Sequence, residues 1–220
     1  MAFVDLPLFP LDVVLLPAMS LPLHIFEPRY REMIAFCMGA ESRFGVLLLK
    51  TRPDATGECY DVGTVAEIMD TSRLEDNKLN IVAEGRQRFR IIERQFDRSY
   101  LHGTVAMLSE PVGEAQDAAR LAIRCRRLMD RYIQLLMKQV DQPSIDLELP
   151  QGPVELSYRV ANVLEQLQPS AIQSLQEVLE AETAVERLRL EVAILRREFA
   201  ILQFMADSAV PRFPPHEHPN

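Results

Sequence analysis

Few side chains of this 220-residue sequence are of a type and spacing that could do chemistry, and the histidines are the first to weigh. His24 lies in the run His24-Ile25-Phe26-Glu27-Pro28, where it could serve as a general base with Glu27 beside it. General-base work needs a nucleophile or a metal-bound water in reach. Nothing nearby in sequence supplies one, so His24 reads as a hydrogen-bonded structural histidine. His102 stands alone among strand-forming residues and reads the same way. His216-Glu217-His218 offers too few ligands for a closed metal site and sits among prolines, so only adventitious binding is expected. The three cysteines, Cys37, Cys59 and Cys125, are odd in number and far apart, which suits thiols used as small apolar residues in a reducing compartment. No catalytic residue, metal site or cofactor is expected from these patterns.

The arginines are more suggestive. Arg120, Arg124, Arg127 and Arg131 recur at helical spacing, with Arg126 beside them, and could grip phosphates or an acidic partner. The commoner arrangement is a solvated helix face whose arginine stems lie along an apolar stripe and whose heads pair with acids. Arg86 follows Gly85 at a strand end, so Arg86, Arg124 and Arg127 are the candidate anion contacts. A second series, Arg86, Arg88, Arg90, Arg94 and Arg98, raises RNA binding as an alternative. Against it stand the net charge of -8 and the lack of an aromatic stacking ladder among those arginines. An apolar peptide groove is a further candidate, formed by Phe26, then Tyr30, Met33 and Phe36 along one short segment, most of which should be core.

The elements that must position these residues divide into a β-rich first half and a helical second half. Phe3 to Phe9, Val13 to Leu16 and Leu21 to Phe26 read as short strands interrupted by Pro7, Pro10, Pro17 and Pro22. Proline confines a strand to edges, starts or bulges, so this segment should wrap around a sheet and not run through its middle. The run from Glu27 to Cys37 reads as a short helix ending near Gly39, with Pro28 in its first turn and Tyr30, Met33, Ile34 and Cys37 on one face. Further strands are expected at Phe44 to Lys50, Thr64 to Asp70, Leu79 to Glu84 with Phe89 to Ile92, and Leu101 to Leu108. Their β-branched content, punctuated by Gly63, Gly85 and Gly103, supports a partly open barrel or folded sheet.

Composition changes near Pro111 to Glu114, which places a boundary between a subdomain at 1–112 and a helical one at 113–206. The stripe Leu121, Cys125, Leu128, Tyr132, Leu135 and Leu136 predicts a bundle helix from about Asp117 to Val140. Pro143, Pro150, Gly152 and Pro153 mark a loop, after which a helix should run from Val154 to Leu167 and stop before Pro169. Ser170 and Gln173 form a capping-box pattern ahead of a short third helix. Thr183 and Glu186 repeat that pattern before the strongest period in the chain, Val185, Leu188, Val192, Leu195, Phe199 and Leu202, which is a bundle core face or a coiled-coil seam. The segment 207–220 should be a disordered proline-rich tail. The fold class is therefore α+β.

With 48% apolar and 25% charged residues the chain should fold, and a pI near 5.1 would repel a phosphate backbone at long range. Nucleic acid is disfavoured as a partner. The amino terminus lacks the cationic start of a secretory signal, and no apolar run approaches the ~18 residues of a membrane span, so a cytoplasmic protein with no membrane partner is expected.

The run Leu6-Pro7-Leu8-Phe9-Pro10-Leu11-Asp12-Val13-Val14-Leu15-Leu16-Pro17, followed by Leu21-Pro22-Leu23-His24-Ile25-Phe26-Glu27-Pro28-Arg29-Tyr30, resembles the start of the amino-terminal domain of Lon proteases. The likeness continues in order through Val62-Gly63-Thr64-Val65-Ala66-Glu67-Ile68 and Val82-Ala83-Glu84-Gly85-Arg86-Gln87-Arg88-Phe89, and more loosely to Leu202. The resemblance implies a PUA-like barrel followed by a helical bundle with a long last helix. It also implies a region that binds unfolded or tagged polypeptides and helps assemble the ring, while later domains hydrolyse ATP and cut peptides. No Gly-Lys dipeptide occurs here, so there is no phosphate-cradling Walker A loop. Lys50, Lys78 and Lys138 lie in nothing like the family's Ser-Lys motif. The expectation is thus a non-catalytic polypeptide-binding or adaptor protein, a stand-alone form without the motor or peptidase. A separate protease and a second copy docked through the last helix are its further candidate partners. Binding is expected near the junction of the two halves.

Overall fold

The first strand, β1 (Phe3–Leu11), contains Pro7 and Pro10 and still lies inside the sheet, between β3 (Arg43–Leu48) and β6 (His102–Met107). This corrects the expectation that the proline-rich segment wraps around the sheet. The register gives the reason: Phe3 to Pro7 pair only with β6, and Leu8 to Leu11 pair only with β3. Each proline therefore falls in a half-strand with one open side, where a missing N–H is tolerated. Pro22 follows the expected rule, because β2 (Ser20–Ile25) is the edge strand and pairs only with β5.

The computed structural model describes residues 3–50, 58–74, 78–143, 147–168 and 171–209, with side chains as far as 206. Six strands form one mixed sheet in the order β2-β5-β4-β3-β1-β6, with β4 at Val62–Arg73 and β5 at Leu79–Gln95. Since β5 also pairs with β6, the sheet curls into a partly open barrel. The candidate read as Leu79 to Glu84 with Phe89 to Ile92 is one unbroken 17-residue strand, because Gly85 does not break the ladder. It opens space instead: a Cβ there would sit 2.2 Å from the Leu16 carbonyl oxygen. Val13 to Leu16, expected as a strand, is irregular. Val14, Leu15 and Leu16 are buried, and the segment is held by Thr64 Oγ1 donating to the Leu15 carbonyl at 2.6 Å and by the Ala18 N–H donating to Gly85.

Helix α1 (Pro28–Met38) starts at its proline and ends at Gly39 as expected, burying Met33, Ile34 and Cys37. The helical half contains α2 (Ala115–Gln139), α3 (Pro153–Leu167), α4 (Ile172–Glu180) and α5 (Ala184–Ala209). The Thr183 box is present, with the Glu186 N–H donating to Thr183 Oγ1 and the Thr183 N–H to Glu186 Oε2. Ser170 and the segment 210–220 lie outside the described residues, and α5 runs to Ala209, past the expected start of the tail. On α2 the buried stripe is Ala118, Leu121, Ala122, Cys125, Met129, Tyr132 and Ile133. Leu128, Leu135 and Leu136 are only half-buried, because the helix turns its Met129 side to the bundle.

One apolar cluster runs through both halves, from Val14, Leu16, Ile25 and Ala83 in the sheet region to Leu156, Val160, Leu175 and Leu188 in the helices. Polar ties reinforce it. The Asn162 amide donates to the Pro17 carbonyl, the Gln176 amide to the Val62 carbonyl, and the Ala184 and Val185 N–H groups to Pro111 and Val112. The link between the halves is therefore pinned against the start of α5.

Candidate functional site

The edge strand β2 and helix α1 meet at Phe26 and Glu27, and this bend creates an aromatic cleft of about 270 Å³. Phe9, Leu11, Leu23, Ile25, Phe26, Tyr30 and Leu49 supply its apolar lining, with Asp12, His24, Glu27 and Arg29 around them. Phe26 is 57% exposed. Tyr30 packs on Phe9 with ring centroids 4.1 Å apart and carries the Arg29 guanidinium 4.4 Å above its ring. Arg29 also pairs with Glu27 at 2.8 Å, two residues away. Burial raises the Tyr30 hydroxyl above its ordinary pKa, against the pull of Arg29. His24 stacks on Phe26 and its Nδ1 lies 2.7 Å from Asn80 Oδ1, the hydrogen-bonded structural role expected of it.

Of the four expected polypeptide contacts, only Phe26 and Tyr30 share this cleft. Met33 is fully buried and offers no surface to a ligand, which corrects that expectation. It sits on the α1 face that closes the core, three residues beyond Tyr30. Phe36 is exposed but carries the Arg98 guanidinium 4.8 Å from its ring, away from the cleft. Helix α1 packs mainly on β1 and β3. The junction between the halves is a different place: a hollow of about 540 Å³ lined by Pro17, Gly85, Arg86, Val154, Tyr158 and Asn162, among others, with no residue from α1. The aromatic surface and the junction, expected to coincide, do not.

The candidate anion contacts also separate. Arg86 lines the junction hollow, but its guanidinium is held by Glu67 and Glu84, both at 2.5 Å. Arg124 and Arg127 line a groove of about 510 Å³ between α2 and α5 together with Arg120, Arg131, Arg196, Ile123 and Leu128. The second arginine series is largely spent inside the protein. Arg88 is buried, Arg94 pairs with Asp61, and Arg98 lies against Phe36 and Tyr100.

Behind the junction lies a buried charged network that the sequence reading did not single out as one. Arg88 donates from Nε and Nη2 to the two Glu110 oxygens at 2.8 and 3.1 Å, and from Nη1 to the carbonyls of Leu179 and Ala181. Arg187 Nη2 faces the same carboxylate at 3.0 Å as an ion pair without hydrogen-bond geometry, while its Nε donates to Ser157 Oγ. Burial lowers the Arg187 pKa, and burial raises that of Glu191, whose carboxylate takes the Cys125 thiol as a partner at 3.7 Å. The available signal was a second stripe on α5, Ala184, Arg187, Glu191 and Glu198, running beside the apolar seam at intervals of three, four and seven residues.

Among the described residues no group of three His, Cys, Asp or Glu converges to hold a metal, and His216-Glu217-His218 lies outside them. All three thiols are buried, and burial pushes Cys37 up to about 12. Among the described residues no helix is long and apolar enough to cross a membrane.

Residues 5–197 match the family model described as the ATP-dependent protease La (LON) substrate-binding domain. Among curated relatives, Lon protease of Azospirillum brasilense is 26% identical over 87% of this chain, and Lon protease of Escherichia coli K12 is 24% identical over 91%. The chain spans about a quarter of the length of those relatives, 24% and 26% respectively. Among solved structures, a Lon N-terminal domain protein from Xanthomonas campestris aligns with TM-score 0.60 and 26% identity, covering 86% of this chain and 98% of that one. The N-terminal domain of Mycobacterium avium complex Lon protease aligns with the same TM-score at 19% identity, which speaks to the fold alone.

Proposed function

Because the chain belongs to the Lon substrate-binding domain family, we propose that it recognises polypeptide without catalysis, at the cleft where Phe26 and Tyr30 meet. The observation that carries the reading is Phe26, a large apolar side chain more than half exposed at the mouth of an aromatic-lined hollow. Side chains of this kind anchor interfaces, because covering them removes apolar area from water at about 25 cal/mol per Å². The rim charges Arg29 and Glu27 are already paired, so binding there should tolerate salt. An unfolded ligand must be ordered on binding, which should hold affinity to roughly micromolar. Within this reading the module works in the cytoplasm and hands its ligand to a protease. Self-association through α5 would use the exposed Ile201, Phe204 and Met205 near its end.

The test is fluorescence anisotropy with labelled unfolded casein and labelled single-stranded RNA at low and moderate salt. Saturable casein binding that persists at moderate salt, and weakens in Phe26→Ser, is the expected result. Phe26 is exposed enough for that variant to fold, which circular dichroism would verify. Tighter binding of RNA with no saturable casein signal would sink the reading.

A further inference from the structure

We infer that the groove between α2 and α5 binds an acidic segment of polypeptide. Arg120, Arg124, Arg127 and Arg131 are spaced by four, three and four residues, so α2 presents them on one face, and Arg196 of α5 closes the groove from the other side. Two of the five guanidiniums have partners inside the protein: Arg120 pairs with Asp117 at 2.7 Å, and Arg131 lies 4.9 Å over the Phe199 ring. Among the described residues no carboxylate lines the groove, and none lies within ion-pair distance of Arg124, Arg127 or Arg196.

Like charges three and four residues apart repel, and the fold does little to relieve that repulsion here. The concentration occurs in a chain with a net charge of -8, so it is a local departure from the overall balance. A counter-charge supplied from outside resolves it. Arginine forks favour carboxylates in paired geometry, and several side by side favour a strand of them over a single ion.

The apolar residues of the groove separate peptide from nucleic acid. Ile123 is 53% exposed and Leu128 is half-buried at the same surface, which suits a segment mixing acids with aliphatic side chains. Among the described residues no aromatic ring lines the groove, so bases would find no stacking platform, and the net charge opposes a long phosphate polymer. The inference rests on the proposed function only in taking polypeptide as the partner class. Its residues are distinct from those of the aromatic cleft.

The experiment uses the full chain and three labelled probes of roughly 15 units: a Glu/Leu peptide, its Gln/Leu analogue and single-stranded RNA. The Glu/Leu peptide should bind at about 50 mM salt and weaken roughly tenfold by about 300 mM, and the Gln/Leu analogue should bind far less. Measured in the Phe26→Ser background, so that the aromatic cleft does not contribute, Arg124→Glu with Arg127→Glu should lose at least about tenfold in affinity for it. Both arginines are exposed, and the milder Arg124→Gln with Arg127→Gln pair would show an intermediate loss. Unchanged affinity in the charge-reversed variant, or equal binding of the Gln/Leu analogue, overturns the inference. RNA binding more tightly through the same arginines overturns it in favour of nucleic acid. If casein fails at the aromatic cleft while the Glu/Leu peptide still depends on Arg124 and Arg127, the cleft reading falls and this one stands.

Discussion

Arg88 of β5 donates to the carbonyl of Leu179 at 2.6 Å, so a side chain of the sheet closes the end of a helix 91 residues later in the chain. The same guanidinium reaches Ala181 and, in fork geometry, Glu110, and is only 1% exposed. It is the polar lock between the two halves, set beside the apolar cluster they share.

Removing that lock should be costly. Arg88→Met would leave Glu110 without its bidentate partner, remove the Arg88 donor from the Leu179 carbonyl and leave the Ala181 carbonyl only the longer bond from Arg187 Nη1 at 3.5 Å, so stability should fall by about 3 to 5 kcal/mol. Arg88→Lys should recover only part of the loss, since an ammonium cannot reproduce the fork. Urea unfolding followed by circular dichroism would measure both. Hydrogen exchange should show β5 and α4 losing protection together, and independent melting of the two would count against a shared lock.

Glu191 gives a pH dependence with a definite sign. Burial raises its pKa well above the ordinary 4.5, outweighing the attraction of Arg187 and the hydrogen bond from Cys125. A raised folded-state pKa means the native protein holds the proton more tightly than the unfolded chain does. That contribution favours folding fully below the unfolded value and is lost as pH rises from there through the folded value. Glu191→Gln should therefore be more stable than the parent at neutral pH, with the difference shrinking as pH falls toward 4.5. Urea midpoints across that range would check it, and a parent more stable than the variant at neutral pH would refute it.

Leu195 is fully buried at the centre of the α5 seam. Leu195→Asp removes roughly 1.5 to 3 kcal/mol of apolar burial and adds an unpaired carboxylate, so the helical half should lose cooperative melting. Solution mass measured alongside would reveal whether a second copy departs with it. An unchanged melting curve and an unchanged mass would contradict the role given to this face.

Gly85→Ala places a methyl carbon on the Leu16 carbonyl oxygen, a backbone atom that can move only with the buried Val14 to Leu16 segment. A loss of roughly 1 to 3 kcal/mol is expected, as for overpacked cores. A thermal melt equal to that of the parent protein would show that the segment yields without strain.

Local rules were legible in the sequence wherever one side chain acts on its own neighbours. Pro28 and Gly39 bound α1, Thr183 and Glu186 cap α5, and the three-and-four spacing from Val185 to Leu202 marks a face that is buried save for a half-buried Phe199. The order of the strands and helices followed from the same kind of pattern. Periodicity failed where two stripes share one helix: Arg187 and Glu191 lie beside the apolar seam, and nothing local distinguishes a buried arginine from a solvated one.

What the sequence by itself determined is the α+β succession, the family motifs and the helix faces, because hydrophobic period and capping chemistry are set within a few residues. Tertiary structure alone decided that Pro7 and Pro10 are tolerated inside the sheet, that Met33 is core while Phe26 is exposed, and that Arg88 is a lock rather than a nucleic-acid contact. It also gathered Arg196 with four arginines of α2. Each of these depends on which distant segment arrives alongside, and that is fixed by the packing of the whole chain rather than by any residue's neighbours in sequence.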